Sequence, residues 1–451
     1  MNKHIVNIKR KSFALVTVLV VTLLLLMIAT FFLTSAIFEV KIARNQVFDK
    51  KSFHVAEAGI QESFNYMLYS PGLVESGHEI TGTLDNMNYG CVINLVDDED
   101  MLLKLYEIVC NVDDNITGAR KRITATVRIQ TYAKFAYFTT QEITSKGTDA
   151  WFVGISDVVK DIIGKKAFVE DDQVSEGLTH TNGRFNFFGN PEFWSYISSV
   201  DEFVQFYPNK LLDADTYPPN HIPIYMRPPF NRGADTIDFP TNLSSLDKTP
   251  PSKLLTIPAN STVVLDGDHA IINEVSHDIS NIWVIKALGN IDSLSGVLDG
   301  YLTIASSGKI YITDSVTYAE ESLTSDDILG IYAEDNIVVK NNENISANEG
   351  KPITIDASIM SLKEFTVYEY GGFDKDGNPI GRKPAATLYI NGGVIQKTRG
   401  VLGHFNPISS LIIDGYTKDW RYDDRLKTMP PPFFPTTGEP EIISWKEEVI
   451  E

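Results

Sequence analysis

The chain has 451 residues, 43% hydrophobic and 22% charged, a globular composition in a length too great for one ordinary core. Its net charge is -20, divided unevenly: residues 1–51 carry eight basic and two acidic side chains, and the remainder carries 31 basic and 57 acidic ones, or -26. A body that acidic repels nucleic acid and anionic lipid, which excludes both as partners for it.

The chain opens with a basic head (Lys3, Lys9, Arg10, Lys11) that runs into an uncharged apolar stretch from Phe13 to Phe38. A bilayer core needs roughly 20 apolar residues in a helix, so this stretch is long enough to span. A secretory signal has an apolar region of only about 7–15 residues and a small-residue cleavage site behind it. The first Gly is Gly59 and the first Pro is Pro71, so one helix is expected over residues 13 to about 69. The basic head predicts an N-terminus inside the cytoplasmic membrane and a body outside, although Lys41, Arg44, Lys50 and Lys51 flank the other end. Beyond the span, Phe53, Ala56, Ile60, Phe64 and Met67 recur at helical spacing, a stripe that reads as core packing against the strands that follow. Pro71-Gly72 ends the helix.

From about residue 78 to 140 the pattern alternates, in segments around Tyr89–Leu95, Leu103–Val112 and Ile123–Ile129, and predicts a small antiparallel sheet of three strands. The chain's two cysteines, Cys91 and Cys110, fall on two of them. If Cys91 faces Cys110, then Ile93 faces Ile108 and Leu95 faces Tyr106, all on one face. That leaves two readings open, a cross-strand bridge and a pair of buried free thiols. Two cysteines exclude a disulfide-framework domain and any multi-cysteine zinc site.

Residues 201–260 are rich in Pro and polar residues and read as a connector. From about 261 to 415, short apolar strands recur with Gly, Asn or Asp at the corners. Those starting at Gly308, Asp335, Glu364 and Thr387 are 27, 29 and 23 residues apart. Such a period predicts stacked coils, a β-solenoid of the right-handed parallel β-helix kind; a β-sandwich is the alternative. Pro430-Pro-Pro-Phe-Phe-Pro435 cannot join a central strand and is expected to lie as a strap over the last coil, with Phe433, Phe434 and Trp445 as its apolar contacts.

At the N-terminus, Lys9-Arg-Lys-Ser-Phe-Ala-Leu-Val-Thr-Val-Leu, the long apolar run and Ala56-Glu57-Ala58-Gly59-Ile60 together resemble the PilX-like minor pilins of type IV pili and related secretion systems. The resemblance covers about residues 9–70. It implies a leader cut between Ser12 and Phe13, followed by prepilin-type N-terminal methylation, although the family places Gly where this chain has Ser12. Major pilins carry Glu at the fifth mature position, where this chain has Thr17, a departure that fits a minor component. The body looks like a family of uncharacterised domains found behind such N-termini, on segments that include His180-Thr-Asn-Gly-Arg184, Asn391-Gly-Gly-Val-Ile and the Pro430 run. That likeness implies association with pili or the envelope and no known chemistry.

The expected architecture is therefore mainly β with a long N-terminal α-helix: a leader (1–12), a transmembrane helix (13–38), a helix extension with a small sheet forming a pilin-like unit (39–140), an irregular β-rich region (141–260) and a β-solenoid with a Pro-rich strap (261–451). The expected function is a membrane-anchored pilin-like component without enzymatic activity. Thr17 and Thr22 would pack on other pilin helices. Partners would be pilin-type subunits, assembly proteins, membrane lipid and a surface glycan. The competing classes are a membrane-tethered β-helix enzyme acting on polysaccharide and a structural envelope scaffold. No cofactor is expected.

Chemistry-bearing motifs are weak. His180-Thr-Asn-Gly-Arg184 holds an imidazole, an amide and a guanidinium, but Asn-Gly between apolar strands is first a hairpin signal. The eight histidines show no zinc-binding spacing. Asp326-Asp327 and Asp423-Asp424 would point to opposite faces of a strand, and only Asp266-Gly-Asp268 could share one. Asp374-Lys-Asp-Gly377 resembles a calcium loop but has Ala385 where the bidentate Glu belongs.

Overall fold

The computed structural model describes residues 2–69, 76–96, 105–114, 120–145, 147–153, 177–193, 195–207, 210–213, 224–225, 230–320, 324–340, 352–367, 387–405 and 412–450. The protein is mainly β with one long N-terminal helix. It divides into two compact units, one made of Met1–Asp97, Lys104–Arg128 and Pro440–Glu451, the other of Asp98–Leu103 and Ile129–Glu439.

In the first unit, the helix runs unbroken from Asn2 to Tyr69, 68 residues or about 100 Å at the usual rise. From Val16 to Lys51 nearly every side chain is exposed, apolar ones included. This is the one helix among the described residues long and apolar enough to cross a membrane. Burial begins at Ser52 and returns at Val55, Ala56, Gly59, Ile60, Ser63 and Met67, steps of three and four that define one face. That face lies on a sheet whose strands β1 (His78–Leu84), β2 (Met87–Leu95), β3 (Leu105–Asp114) and β4 (Arg120–Thr131) are antiparallel neighbours. The expected three strands are joined by two more. β1 is tied to β2 by the two-residue loop Asp85-Asn86, both at positive φ (52° and 64°), the geometry that matches strand twist. The fifth is the C-terminal strand Thr436–Ile450, next to β4. Alternation along β3 and β4 sends Tyr106, Ile108, Cys110, Val112, Ile123, Ala125 and Val127 to the buried face.

The second unit is built on parallel ladders. One joins Leu254–Ile257, Val284–Ala287, Tyr301–Ser306, Ile328–Ala333, the end of Ile353–Ser361 and the end of Thr387–Thr398 in order. It then continues through Phe135–Gln141, Leu178–Thr181, Ile197–Ser199 and Asn231–Arg232, so segments on both sides of residue 260 share it. A second ladder joins Ser261–Gly267, Ile291–Leu298, Ile310–Tyr318, Ile337–Val339 and Phe365–Val367. A third takes Ile353–Ser361, Thr387–Thr398 and Thr417–Arg421. In register, Leu255, Ile285, Ile304, Ile331, Ile359, Val394 and Tyr137 form one continuous column. Five of these, Ile285 to Val394, belong to the main core cluster, with Leu255 packed against it.

The next column, through Ala305, Tyr332, Met360, Ile395 and Phe138, points the opposite way and is buried too, under Leu243, Leu246, Leu426 and Phe434. Strands covered on both faces read as unbroken apolar runs such as Ile328–Ala333, which is why periodicity alone did not reveal their two sides. At one corner a mostly polar column, Ser306, then Ala333, then Ser361, Gln396, Thr139, Thr181 and Ser199, is buried and satisfied locally; Ser361 Oγ donates to the Asp335 carbonyl (2.9 Å) and Ser199 Oγ to that of Asp201 (2.8 Å). At one end of the second ladder, His269–Ile272 folds back antiparallel on Ser261–Gly267 and buries Ala270 and Ile272 in the same core.

The Pro-rich strap lies across the middle of the first ladder and not over its last pass. Pro430 and Pro432 carbonyls accept from Tyr301 Oη and Thr303 Oγ1, and Phe434 packs on Tyr332. A Cβ on Gly330 would sit 2.7 Å from Pro431 and 2.9 Å from Phe434, so the strap seats against bare backbone there. Trp445 belongs to the C-terminal strand and packs on Phe53 of the helix, 5.6 Å between rings.

Candidate functional site

The sequence-predicted residues of the helix fall into two groups. Ser12 and Phe13 lie within it, and their side chains are outside those described. Thr17 and Thr22 lie on the exposed run. Thr22 Oγ1 donates to the Val18 and Leu19 carbonyls (3.0 and 2.9 Å), and Thr30 and Thr34 donate back along the helix in the same way. Each of these hydroxyls is satisfied within its own helix, the condition for placing it in hydrocarbon.

The Ala56-Glu57-Ala58-Gly59 segment is the seat of the helix on the sheet. Ala56 and Gly59 face inward, and Glu57 faces solvent beside His54 (3.3 Å). Beneath Gly59 lies the Cys91–Cys110 disulfide, closed between directly paired residues of β2 and β3. Ile93 pairs with Ile108 and Leu95 with Tyr106. A Cβ on Gly59 would stand 2.6 Å from Cys91 Sγ, 2.8 Å from Tyr89 Cδ2 and 3.0 Å from Cys110 Sγ. The glycine therefore lets the helix backbone touch the disulfide. Ser63 Oγ closes onto the Gly59 carbonyl (2.9 Å), and Tyr89 Oη donates to Glu62 (2.5 Å), a bond that with burial holds the phenol above its usual range.

A second fastening was not singled out from sequence. The Lys121 side chain, 3% exposed, lies 2.7 Å from Asp49 of the helix and 2.9 Å from Glu447 of the C-terminal strand. Burial alone would lower its amine, but the two carboxylates outweigh this and hold it above its usual range. Asp49, which interrupts the apolar stripe, is thus a tie point. The signal for Lys121 was its position two residues before Ile123 in an alternating strand, which puts it on the buried face.

In the second unit, the residues of the His180–Arg184 motif are engaged in holding the fold. His180 is buried, stacked on Phe138 (5.3 Å), with Nδ1 2.8 Å from Ser198 Oγ and Nε2 3.0 Å from Asn182 Oδ1. Asn182 Oδ1 also accepts from the Ile237 amide (3.0 Å) while its Nδ2 donates to the Ile237 carbonyl (2.7 Å), so Nε2 carries the imidazole proton. Arg184 pairs with Asp201 (2.7 Å). The Asn182-Gly183 turn is a corner and not a hairpin: Leu178–Thr181 pairs in parallel with passes on either side, and Asn186–Phe188 belongs to a different sheet.

Asp327 accepts from the Gly300 and Glu320 amides (2.6 and 2.9 Å), Asp423 grips Arg425 (2.7 Å), and Asp424 meets Lys427 (2.5 Å). Asp266 and Asp268 are exposed, with Asp268 against His269 (2.6 Å). The Asp374–Gly377 loop lies outside the described residues. Among the described residues no group of three or more His, Cys, Asp or Glu side chains is placed to hold a metal ion.

No family model matches the chain, and no curated protein matches it. Among solved structures it is similar to the competence-associated pilin ComZ from Thermus thermophilus, at 10% identity over 88% of this chain and 97% of that one, with a TM-score of 0.30. A similarity that slight does not establish a shared fold.

Proposed function

We propose that this chain is a membrane-anchored, pilin-like protein, a minor pilin or pseudopilin of a type IV pilus or related secretion system. Its helix holds it in the cytoplasmic membrane with the N-terminus inside. Its body, a right-handed parallel β-helix in this reading, is displayed outside as a surface for assembly or adhesion, and it has no catalytic role. The observation that carries the reading is one unbroken helix with an apolar, uncovered first half and a second half seated on a small sheet through Ala56 and Gly59. Support for the β-helix comes from parallel ladders whose partners are a full pass of chain apart. Partners in this reading are pilin-type subunits and assembly proteins, reached through the helix by van der Waals fit, because the Thr22 hydroxyl is spent on its own backbone.

Cell fractionation with N-terminal sequencing tests it. The chain is expected in the membrane pellet, starting at Phe13, and Ser12→Trp is expected to leave it uncut. Freely soluble full-length protein rejects the anchor. An identical uncut N-terminus before and after substitution rejects the pilin part.

A further inference from the structure

The columns of the third ladder begin in aliphatic residues and end in a cation and an indole. Ile353 pairs with Leu388 and Leu388 with Lys418; Ile355 pairs with Ile390 and Ile390 with Trp420. Because side chains in register point the same way, Lys418 and Trp420 are directed to the side where Ile353, Ile355, Leu388 and Ile390 form the core. The residues they meet make one connected cluster. Lys418 Nζ is 5.4 Å from the Trp420 ring, Trp420 stacks on Tyr137 (5.6 Å), and Arg399 lies 5.5 Å from the Tyr137 ring and 3.9 Å from that of Phe152.

The cluster has more donors than acceptors. Its one carboxylate is Glu142, with a side chain 1% exposed, and both oxygens are taken. Oε1 accepts from Tyr137 Oη (2.9 Å) and Thr139 Oγ1 (2.5 Å), and Oε2 from Arg399 Nη1 (2.8 Å). Among the described residues Lys418 has no carboxylate within ion-pair distance, and the buried Trp420 Nε1 has no hydrogen-bond partner. Two cations therefore share one committed anion, and an indole N–H is left over. A half-buried cation without a counter-ion is disfavoured, and a group that supplies the missing charge recovers that loss. Lys418 and Trp420 keep partial exposure, whereas Tyr137, Glu142 and Arg399 are buried, so a ligand meets the first two.

We propose that this end of the third ladder binds an organic carboxylate, held by Lys418 beside Trp420. Burial and the neighbouring Arg399 guanidinium bring the Lys418 amine down to about 7. The charged groups that act on it are Arg399 and Glu142, with Tyr137 bound to Glu142 behind them; Asp419, next along the strand, takes the opposite face near Arg421 (3.5 Å). An anion binds the protonated amine, so binding takes up a proton and weakens as pH rises past neutrality. This inference deepens the display reading above and rests on it only for where the ligand is met. Binding is measured on the purified chain, so uronate binding by a protein that fails to sediment with membranes would reject that reading and keep this one.

The full chain in detergent micelles is titrated with sodium acetate and with sodium glucuronate, followed by calorimetry and tryptophan fluorescence, at about pH 6 and about pH 8. Saturable binding of either acid is expected, about tenfold weaker at the higher pH. Tighter binding of glucuronate would identify a sugar acid, and equal binding the carboxylate alone; both support the site. Lys418→Met is expected to abolish binding while raising Tm, because it removes an unpaired charge, so the loss cannot be ascribed to unfolding. The proposal is overturned by no saturable binding at about pH 6, by equal affinity at both pH values, or by undiminished binding in the variant.

Discussion

Gly59 shows how one residue sets the distance between a helix and a sheet. Alanine is the better helix former by about 1 kcal/mol, so on propensity alone Gly59→Ala would stabilise the protein. The new Cβ, however, would stand 2.6 Å from Cys91 Sγ and 2.8 Å from Tyr89. The disulfide is fixed on two paired strands and cannot yield as a flexible side chain would. Overpacking of this kind costs about 1–3 kcal/mol, which exceeds the propensity gain. Gly59→Ala is therefore expected to lower the melting temperature of the sheet unit, read by circular dichroism; an increase would show that the close approach is not a constraint. The same contact gives the Ala-Glu-Ala-Gly segment a physical role: its small residues are where the backbone of the helix comes down on sulfur.

At the scale of elements, the corner at His180 locks neighbouring passes of the first ladder together and ties them to the segment at Ile237. Burial, the dominant influence, holds this imidazole below its ordinary 6.5, against the hydrogen bond to Asn182. As pH falls from 6.5, the unfolded chain takes up a proton before the folded one does, so stability is lost from the unfolded value down to the folded one. The melting temperature should fall as pH drops below about 6.5, and His180→Gln should flatten that part of the profile. An unchanged slope in the variant would assign the acid sensitivity elsewhere.

The corner also shows how far sequence reading reached. The long helix, its inward stripe, the Cys91–Cys110 register and the recurrence of short strands after residue 261 were legible, because each is written in local periodicity. Four features were not. The hairpin signal at Asn182-Gly183 is local, and whether such a turn returns to its own sheet or passes to the next depends on partners dozens of residues away. That Phe135–Gln141 pairs with Val394–Thr398 is a non-local choice between equally apolar runs. The role of the C-terminal strand was hidden for the same reason: its partner β4 lies some three hundred residues earlier, as the Arg128–Glu441 pair shows (3.0 Å, separation 313). The cluster at Lys418 is of this type as well, drawn from segments near residues 137, 142, 152, 399 and 420, so no spacing rule could have assembled it.

For the whole molecule the open question of physics is which side of the membrane receives the body, and charge alone is a weak arbiter. The apolar run has Lys3, Lys9, Arg10 and Lys11 before it and Lys41, Arg44, Lys50 and Lys51 after it, four against four. Glu39 and Asp49 accompany the second group, but acidic residues count for little in this bias. The disulfide is the stronger discriminator, because such a bond persists in an oxidising compartment and is reduced in cytosol. On the proposed topology, protein recovered from cells without reductant should take up no alkylating reagent at Cys91 or Cys110, and two equivalents after reduction, as read by mass spectrometry. Closing a loop with a sequence separation of 19 should stabilise the sheet by about 3 kcal/mol. Reduction should therefore lower its melting temperature, and because Gly59 rests on the sulfur pair, the seat of the helix should loosen with it. Two free thiols in protein isolated without reductant would put the sheet on the cytoplasmic side and reverse the topology.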